Sequence, residues 1–286
     1  MSAASVDDLR HEGETADVLL RGRVVLLQAR DGYRTSVDAT LVAWWAAQCW
    51  RQLRQDEPLG CLDLGAGSGL IAILLGLHFQ ASQIRLVELQ PALADRATRN
   101  LLLAGLDGRA VVSCGDVTDT THATAADLVV CNPPFHPLVG RLLPASEERR
   151  VAHYESHLDL ERAALAAARG LRDAGLFCLV FPHEPLRVEA ALRAAGLADI
   201  VFRPVHHRAN HTAPVRLLAC AQRGATATRF EPPFALHPSD SDDARYSAEL
   251  ETFLANLPGP VAAECRPPAT TSAVGPQARS LSDDVR

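Results

Sequence analysis

The chain has 286 residues, 48% of them hydrophobic, 22% charged and only 5% aromatic, and a formal net charge of −6. That suits one large α/β domain with appendages, or two small domains, with a core of Leu, Val, Ala and Ile; it excludes a surface coated for nucleic acid, though not a local basic patch. Lysine is absent, which removes Schiff-base chemistry and a phosphate-loop lysine; the longest apolar run, Leu70 to Leu77, is far short of the roughly 20 residues of a membrane span, and the acidic start lacks the apolar stretch of a signal peptide, so a cytoplasmic location without membrane partners is expected.

Residues 1–16 are polar and read as a disordered N-terminus. Residues 17–58 read as an extension: two short strands in ADVLLRGRVVLL around an Arg-Gly-Arg turn, then a helix beginning within DGYRTSVDATLVAWWAAQCW. From residue 59 to 257 the pattern alternates. LGCLDLG is a buried strand, SGLIAILLGLHF a helix, IRLVEL a strand, PALADRATRNLLLAG a helix opened by proline, and AVVSCGD a strand. ADLVVCNPP is a fourth strand, stopped by prolines that cannot continue a ladder. A helix in LDLERAALAAARGLR, a strand in GLFCLVFP, a helix in EPLRVEAALRAAG and strands in DIVFRPV and APVRLLACAQ complete the set. The expected fold is α/β: a seven-stranded, mostly parallel sheet with helices on both faces and a short N-terminal hairpin-and-helix extension. Residues 258–286, rich in Pro, Ala, Ser and Thr, read as a disordered tail.

The seven cysteines include no C-x-x-C pair and sit mostly in apolar runs, so they read as small core residues in a reducing compartment. His206, His207 and His211 have no Cys or carboxylate within several residues and read as a loop, not a metal site. Chemistry concentrates instead at strand ends. The first strand of the main domain runs through Asp63 into Gly65-Ala66-Gly67-Ser68-Gly69 and directly into a helix. Alternate glycines allow a sharp turn and close approach of a ligand to the backbone. Glu88 ends the next strand, where a carboxylate can accept both ribose hydroxyls, and Asp116 ends the third, where it can accept an exocyclic amine from adenine. Three acids at successive strand ends, with no lysine for phosphates, suit a nucleoside without phosphates and with a cationic group. S-adenosylmethionine is such a ligand.

Asn132-Pro133-Pro134-Phe135 closes the fourth strand. A planar amine resists methylation because its lone pair is delocalised. The Asn132 side-chain oxygen and the Pro133 carbonyl can each accept one N–H, turning the lone pair toward a sulfonium methyl. Pro133 and Pro134 stiffen the turn, and Phe135 offers a stacking face for a flat base. With these motifs in hand, the chain resembles a class I S-adenosylmethionine-dependent methyltransferase with a small methyltransferase domain on a Rossmann-like sheet. More narrowly it resembles the bacterial tRNA1(Val) adenine-37 N6-methyltransferase family. The resemblance covers roughly residues 17–256 and rests on GYRTSVDA, LDLGAGSG, VEL, the Gly-Asp at 115–116, NPPF and PPFALHPSDSDDARYSAEL. It implies a cofactor site lined by Asp63, Gly65, Ala66, Gly67, Gly69, Glu88, Asp116 and Asn132, covered by Thr35, Ser36 and Asp38. Better-known members carry Tyr where Phe135 stands; the stacking face is kept and a hydroxyl lost.

The expected activity is therefore methylation of an exocyclic amine of an RNA base, adenine N6 in tRNA before the alternatives. NPPFH also marks guanine-N2 enzymes acting on rRNA, and a Tyr version marks glutamine-N5 enzymes acting on release factors. The first usually carry a degenerate upstream domain, whereas 58 residues precede Leu59; the second carry a helical N-terminal domain, whereas 17–28 reads as strands. A non-catalytic RNA-binding module on the same fold would be free to lose the intact NPPF. A nicotinamide-dependent oxidoreductase fails on the glycine spacing, since Leu70 holds the third glycine's place. For tRNA as partner the candidate contacts are Arg149 and Arg150, between NPPF and the next helix, and Arg203 and Arg208, in a stretch (201–230) without any acid.

Overall fold

A computed structural model describes residues 5–258 apart from 55, 57, 59, 81, 120–124, 136–147, 149–157, 225 and 240–244. The expected disordered start is in part ordered. Ser5 and Asp8 form a capping box on the single-turn helix α1 (Val6–Leu9), and strand β1 begins at Glu14 (Glu14–Leu19). β1 pairs antiparallel with β2 (Val24–Ala29) across a turn at Leu20-Arg21-Gly22, all three with positive φ. Glu14 is buried and receives Arg96 Nε (2.9 Å) and Arg99 Nη1 (2.7 Å), both from the main domain. Burial would raise its carboxyl, but hydrogen bonds from Arg99, the His11 N–H and Arg96 hold it at about 2.

The extension is welded to the sheet rather than appended to it. Helix α2 (Val37–Leu53) is capped by Ser36, which accepts the Asp38 N–H. It buries Trp44, Trp45 and Trp50 almost completely, packing on α3 (Leu70–His78) and on strands of the sheet. Asn100 of α4 (Pro91–Leu103), itself fully buried, accepts the Leu27 N–H (2.7 Å) and donates to the carbonyls of Leu27 and Ser68. One amide thus ties hairpin, helix and glycine loop together.

The main strands are β3 (Gly60–Leu64), β4 (Gln83–Glu88), β5 (Ala110–Cys114), β6 (Ala126–Cys131), β7 (Leu171–Pro182), β8 (Asp199–Arg208) and β9 (Arg216–Gln222). Helices α5 (Leu160–Gly170) and α6 (Pro185–Ala194) pack on one another along β6, β7 and β9. The α/β class and two-sided cover are as expected, but the sheet has nine strands. β10 (Ala227–Phe230) and β11 (Phe234–His237) share the outer edge of β8, one along each half, with Pro232 and Pro233 between them. Helix α7 (Ala248–Ala255) closes the described chain. Strand order is β10-β8-β9-β7-β6-β3-β4-β5, parallel throughout except β9, which runs against both neighbours. Side chains alternate between two cores. Cys61, Leu128, Val130 and Cys178 face α2 and α3, while Leu62, Leu64, Val129 and Phe177 face α5 and α6.

Within the first core Cys49, Cys178 and Cys220 bring their sulfurs within 4.8 Å of one another. Cys178 and Cys220 are register partners on β7 and β9, so these thiols fill the seam beneath α2. Among the described residues no helix is long and apolar enough to cross a membrane. The expected tail lies outside the described residues except for Pro258, as do Cys265, Arg149 and Arg150.

Candidate functional site

The chain runs outward from β3 to β4 to β5, then returns to lay β6 against the other side of β3. This reversal opens a crevice at the carboxyl ends of adjacent strands, the place where open α/β sheets bind ligands. Leu64 and Cys131 are register partners, so the glycine loop after β3 and Asn132 after β6 stand side by side. A pocket of about 590 Å³ opens there, lined by Gly65, Gly67, Glu88, Asp116, Asn132 and Pro134 together with Tyr33, Leu89, Gln90, Leu93, Val117 and Leu158. None of these lining residues is basic.

The glycine loop is positioned by backbone bonds. Gly65 and Ala66 both donate to the Val87 carbonyl, at 2.9 and 3.1 Å. Gly65 (φ 70°) and Gly67 (φ 55°) are left-handed, and a Cβ on Gly67 would meet the Tyr33 ring at 3.1 Å. Glu88 accepts the Gly67 N–H on Oε2 and the Gln90 N–H on Oε1, both at 2.8 Å. These bonds do not fill the carboxylate's four acceptor sites, so capacity remains for a ligand. Burial raises the Glu88 carboxyl; the N–H groups of Gln90, Gly67 and Leu89 oppose the shift, and the charge of Glu148 reinforces it. Asp116 Oδ1 accepts the Thr118 N–H (2.8 Å) and hydroxyl (2.7 Å), which fixes the turn after β5.

Asp63 is fully buried and does not line the pocket. Among the described residues neither of its oxygens makes a full hydrogen bond. Burial pushes its carboxyl up to about 7; the Ala72 N–H offsets this in part, and the Glu88 charge adds to it. An orphaned acid against a crevice calls for a cation or a proton.

Of the residues expected to cover this pocket, Thr35, Ser36 and Asp38 do not line it themselves, and the Thr35 side chain reaches it only through a hydrogen bond with the Tyr33 phenol. The Thr35 N–H donates to Gln28 Oε1 (2.8 Å), Ser36 caps α2, and Asp38 is ion-paired to Arg216 at 3.2 Å. The same segment reaches the pocket through Tyr33, which the sequence reading passed over. Burial, and then the charges of Asp38, Glu88 and Asp63, raise its phenol far above the ordinary value. Ala66 and Gly69 do not line the pocket; Gly69 (φ 86°) instead forms the N-cap of α3.

Phe135 is half-buried, edge-on to Phe181 (ring centres 6.4 Å apart) and beneath the Arg216 guanidinium, 4.8 Å from its ring centre. Arg203 and Arg208 lie at the carboxyl half of β8, on the pocket's edge of the sheet, and differ sharply. Arg203 is 13% exposed, paired to Glu249 at 3.1 Å and laid over the Trp44 and Phe234 rings, so it serves packing. Arg208 is half-buried and reaches the Pro238 carbonyl. His206 and His207 belong to β8 rather than a loop, and the His207 ring neighbours those of His211 and His237.

Comparison with known proteins adds three findings. Residues 50–149 match the family model described as Methyltransferase small domain. The chain is 28% identical over 215 residues to the tRNA1(Val) (adenine(37)-N6)-methyltransferase of Porphyromonas gingivalis, covering 72% of this chain and 82% of that one. It is 35% identical over 174 residues to the protein of the same name from Yersinia pestis, covering 59% and 69%. In three dimensions it resembles the crystal structure of a protein from Agrobacterium tumefaciens described as a predicted O-methyltransferase, with TM-score 0.59, 21% identity and coverage of 77% and 96%. That likeness concerns the fold.

Proposed function

Since this chain belongs to the class I S-adenosylmethionine-dependent methyltransferases, we propose that it methylates the exocyclic amine of an RNA base, N6 of adenine 37 in tRNA(Val). The pocket suits the cofactor on two observations. Among the described residues no basic side chain lines it, which fits a ligand without phosphates, and its acids Glu88 and Asp116, with the charge of the buried Asp63 behind Glu88, favour a cationic one. Glu88 would hold the ribose hydroxyls, Asp116 the adenine amine, and Gly65 and Gly67 the close-packed chain. When bound, the cofactor supplies an electrophilic methyl group.

The observation that carries the reading is Asn132-Pro133-Pro134-Phe135 at the end of β6, directly beside the glycine loop. Asn132 Oδ1 and the Pro133 carbonyl accept the two N–H groups of the target amine, and Phe135 stacks on its ring. The nitrogen lone pair is thereby turned toward the pocket, and positive charge growing on nitrogen is stabilised by two acceptors. No strong base is needed, because the proton leaves after transfer. The substrate follows the names of the Porphyromonas and Yersinia relatives, and Arg208 with Arg149 and Arg150 would bind flanking phosphates.

Incubation with separate pools of tRNA, rRNA and release factor plus labelled cofactor tests this. N6-methyladenosine from digested tRNA is expected. N2-methylguanosine from rRNA, or methylglutamine from release factor, would replace the substrate while keeping the chemistry.

A further inference from the structure

The cation over Phe135 comes from β9, separated from β6 by β7 alone. Arg216 opens β9, where Pro182 of β7 and Val205 of β8 flank it as register partners. It is 3% exposed. Its Nε lies 3.2 Å from each oxygen of Asp38, itself 2% exposed, and its Nη1 donates to the Val215 carbonyl. The guanidinium carbon lies over one face of the Phe135 ring, 4.8 Å from its centre, and Phe181 bounds the ring edge-on. Such a pair is a poor source of stability, because desolvating two charges offsets most of their attraction. What it provides is direction, since a rigid guanidinium fork fixed at one end by a carboxylate holds whatever ring lies against it. Asp38 sits in the first turn of α2, where the helix dipole favours a carboxylate.

We propose that Asp38 and Arg216 are positioning residues that set the plane of Phe135, and so the angle at which the target base meets the transferable methyl. This deepens the function proposed above and rests on its reading of Phe135 as the base platform. It also gives residues 33–38 two duties. Tyr33 lines the cofactor pocket and leans on Gly67, while Asp38, five residues on, braces the base side. Asp38, expected from the resemblance to cover the cofactor, acts in this account on the substrate.

The test uses the full chain with unmodified tRNA and compares Arg216→Met, Phe135→Leu and the double variant. Thermal midpoint and calorimetric affinity for S-adenosylmethionine are measured alongside kcat and KM. Arg216→Met is expected to lower kcat roughly tenfold or more with cofactor affinity within about twofold, and to add little once Phe135 is Leu. Arg216→Lys, which keeps the charge over the ring, should recover part of the rate. If Arg216→Met does not fold, Asp38→Asn takes its place in the same cycle. Rate losses that multiply independently in the double variant would overturn the positioning role while leaving the function standing. Wild-type protein that transfers no methyl to tRNA, or Phe135→Leu with unchanged kinetics, would overturn the functional reading and this inference with it.

Discussion

The two sides of the crevice are built differently. The cofactor side comes from the ends of β3, β4 and β5, three consecutive strands whose loops bond to one another: Gly65 and Ala66 to Val87, Gly67 to Glu88, Gly115 to Glu88. The base side takes Asn132 and Phe135 from the turn after β6, Phe181 from β7, Arg216 from β9 and Asp38 from α2, with the two ends of one ion pair 178 positions apart in the chain. The first side works by charge and backbone donors, the second by the orientation of a flat ring. Damage to one should therefore leave the other's function readable, and Asn132 makes the largest difference between them. Asn132→Ala should cost about 10²- to 10³-fold in kcat while cofactor affinity, by calorimetry, stays within about twofold. Equal loss of both would mean that the two sides are one unit.

Asp63 puts the sharpest charge on the cofactor side. Its carboxyl titrates near 7 in the fold against 3.8 in the open chain. Between these values the unfolded chain has released a proton that the folded one keeps, so stability falls as pH rises from about 4 to about 7 and levels off above. The size is on the order of 4 kcal/mol, about three pK units at roughly 1.4 kcal/mol each. Asp63→Asn should flatten this slope in thermal melts, and bound S-adenosylmethionine should flatten it in the wild type by stabilising the ionised form. A slope that survives in Asp63→Asn would assign it to another group.

Glu88 tests the same side by ligand affinity. Glu88→Ala removes two acceptors and should weaken S-adenosylmethionine binding by about 1–3 kcal/mol. Glu88→Gln keeps one acceptor oxygen and should lose less. Unchanged affinity in both would remove Glu88 from the site.

This contrast also explains what the sequence could tell. Strand-end acids and a glycine loop are local signals, each readable within a few residues of its own strand. The strands were legible because both faces of the sheet are buried, so β3, β6 and β7 read as near-continuous apolar runs. β10 and β11 were missed because they are four residues each, flank two prolines and pair only with one edge. Glu14 reads as polar chain on its own because the arginines that bury it lie more than 80 residues away. Tyr33 had one usable signal, an aromatic in an otherwise polar turn, but its neighbours 35, 36 and 38 carried more obvious ligand chemistry. Nothing local marks Arg216, which stands in an ordinary strand opening and gains its meaning from Asp38 and Phe135.

The smallest expected effect separates two arginines that the sequence treats alike. Arg203 and Arg208 lie five residues apart on β8, in a stretch without acids, and both are formal candidates for phosphate. Arg203 is committed to Glu249 and to the Trp44 and Phe234 rings, so removing it exposes aromatic surface on the outer edge of the sheet. Arg203→Ala should therefore lower the thermal midpoint, by the equivalent of about 1 kcal/mol, and leave the salt dependence of tRNA binding as it was. Arg208 is half-buried on the same strand, and its bond to the Pro238 carbonyl is long, at 3.5 Å, so phosphate can compete for that donor. If it neutralises one phosphate, Arg208→Ala should weaken tRNA binding only a few-fold at moderate salt, yet reduce the slope of log affinity against log salt by about 1. The slope is the better readout, because a packing defect has no reason to release counterions. An Arg208→Ala variant with an unchanged slope would put the RNA path elsewhere on this edge; a reduced slope in Arg203→Ala would show that its pairing with Glu249 opens to admit RNA.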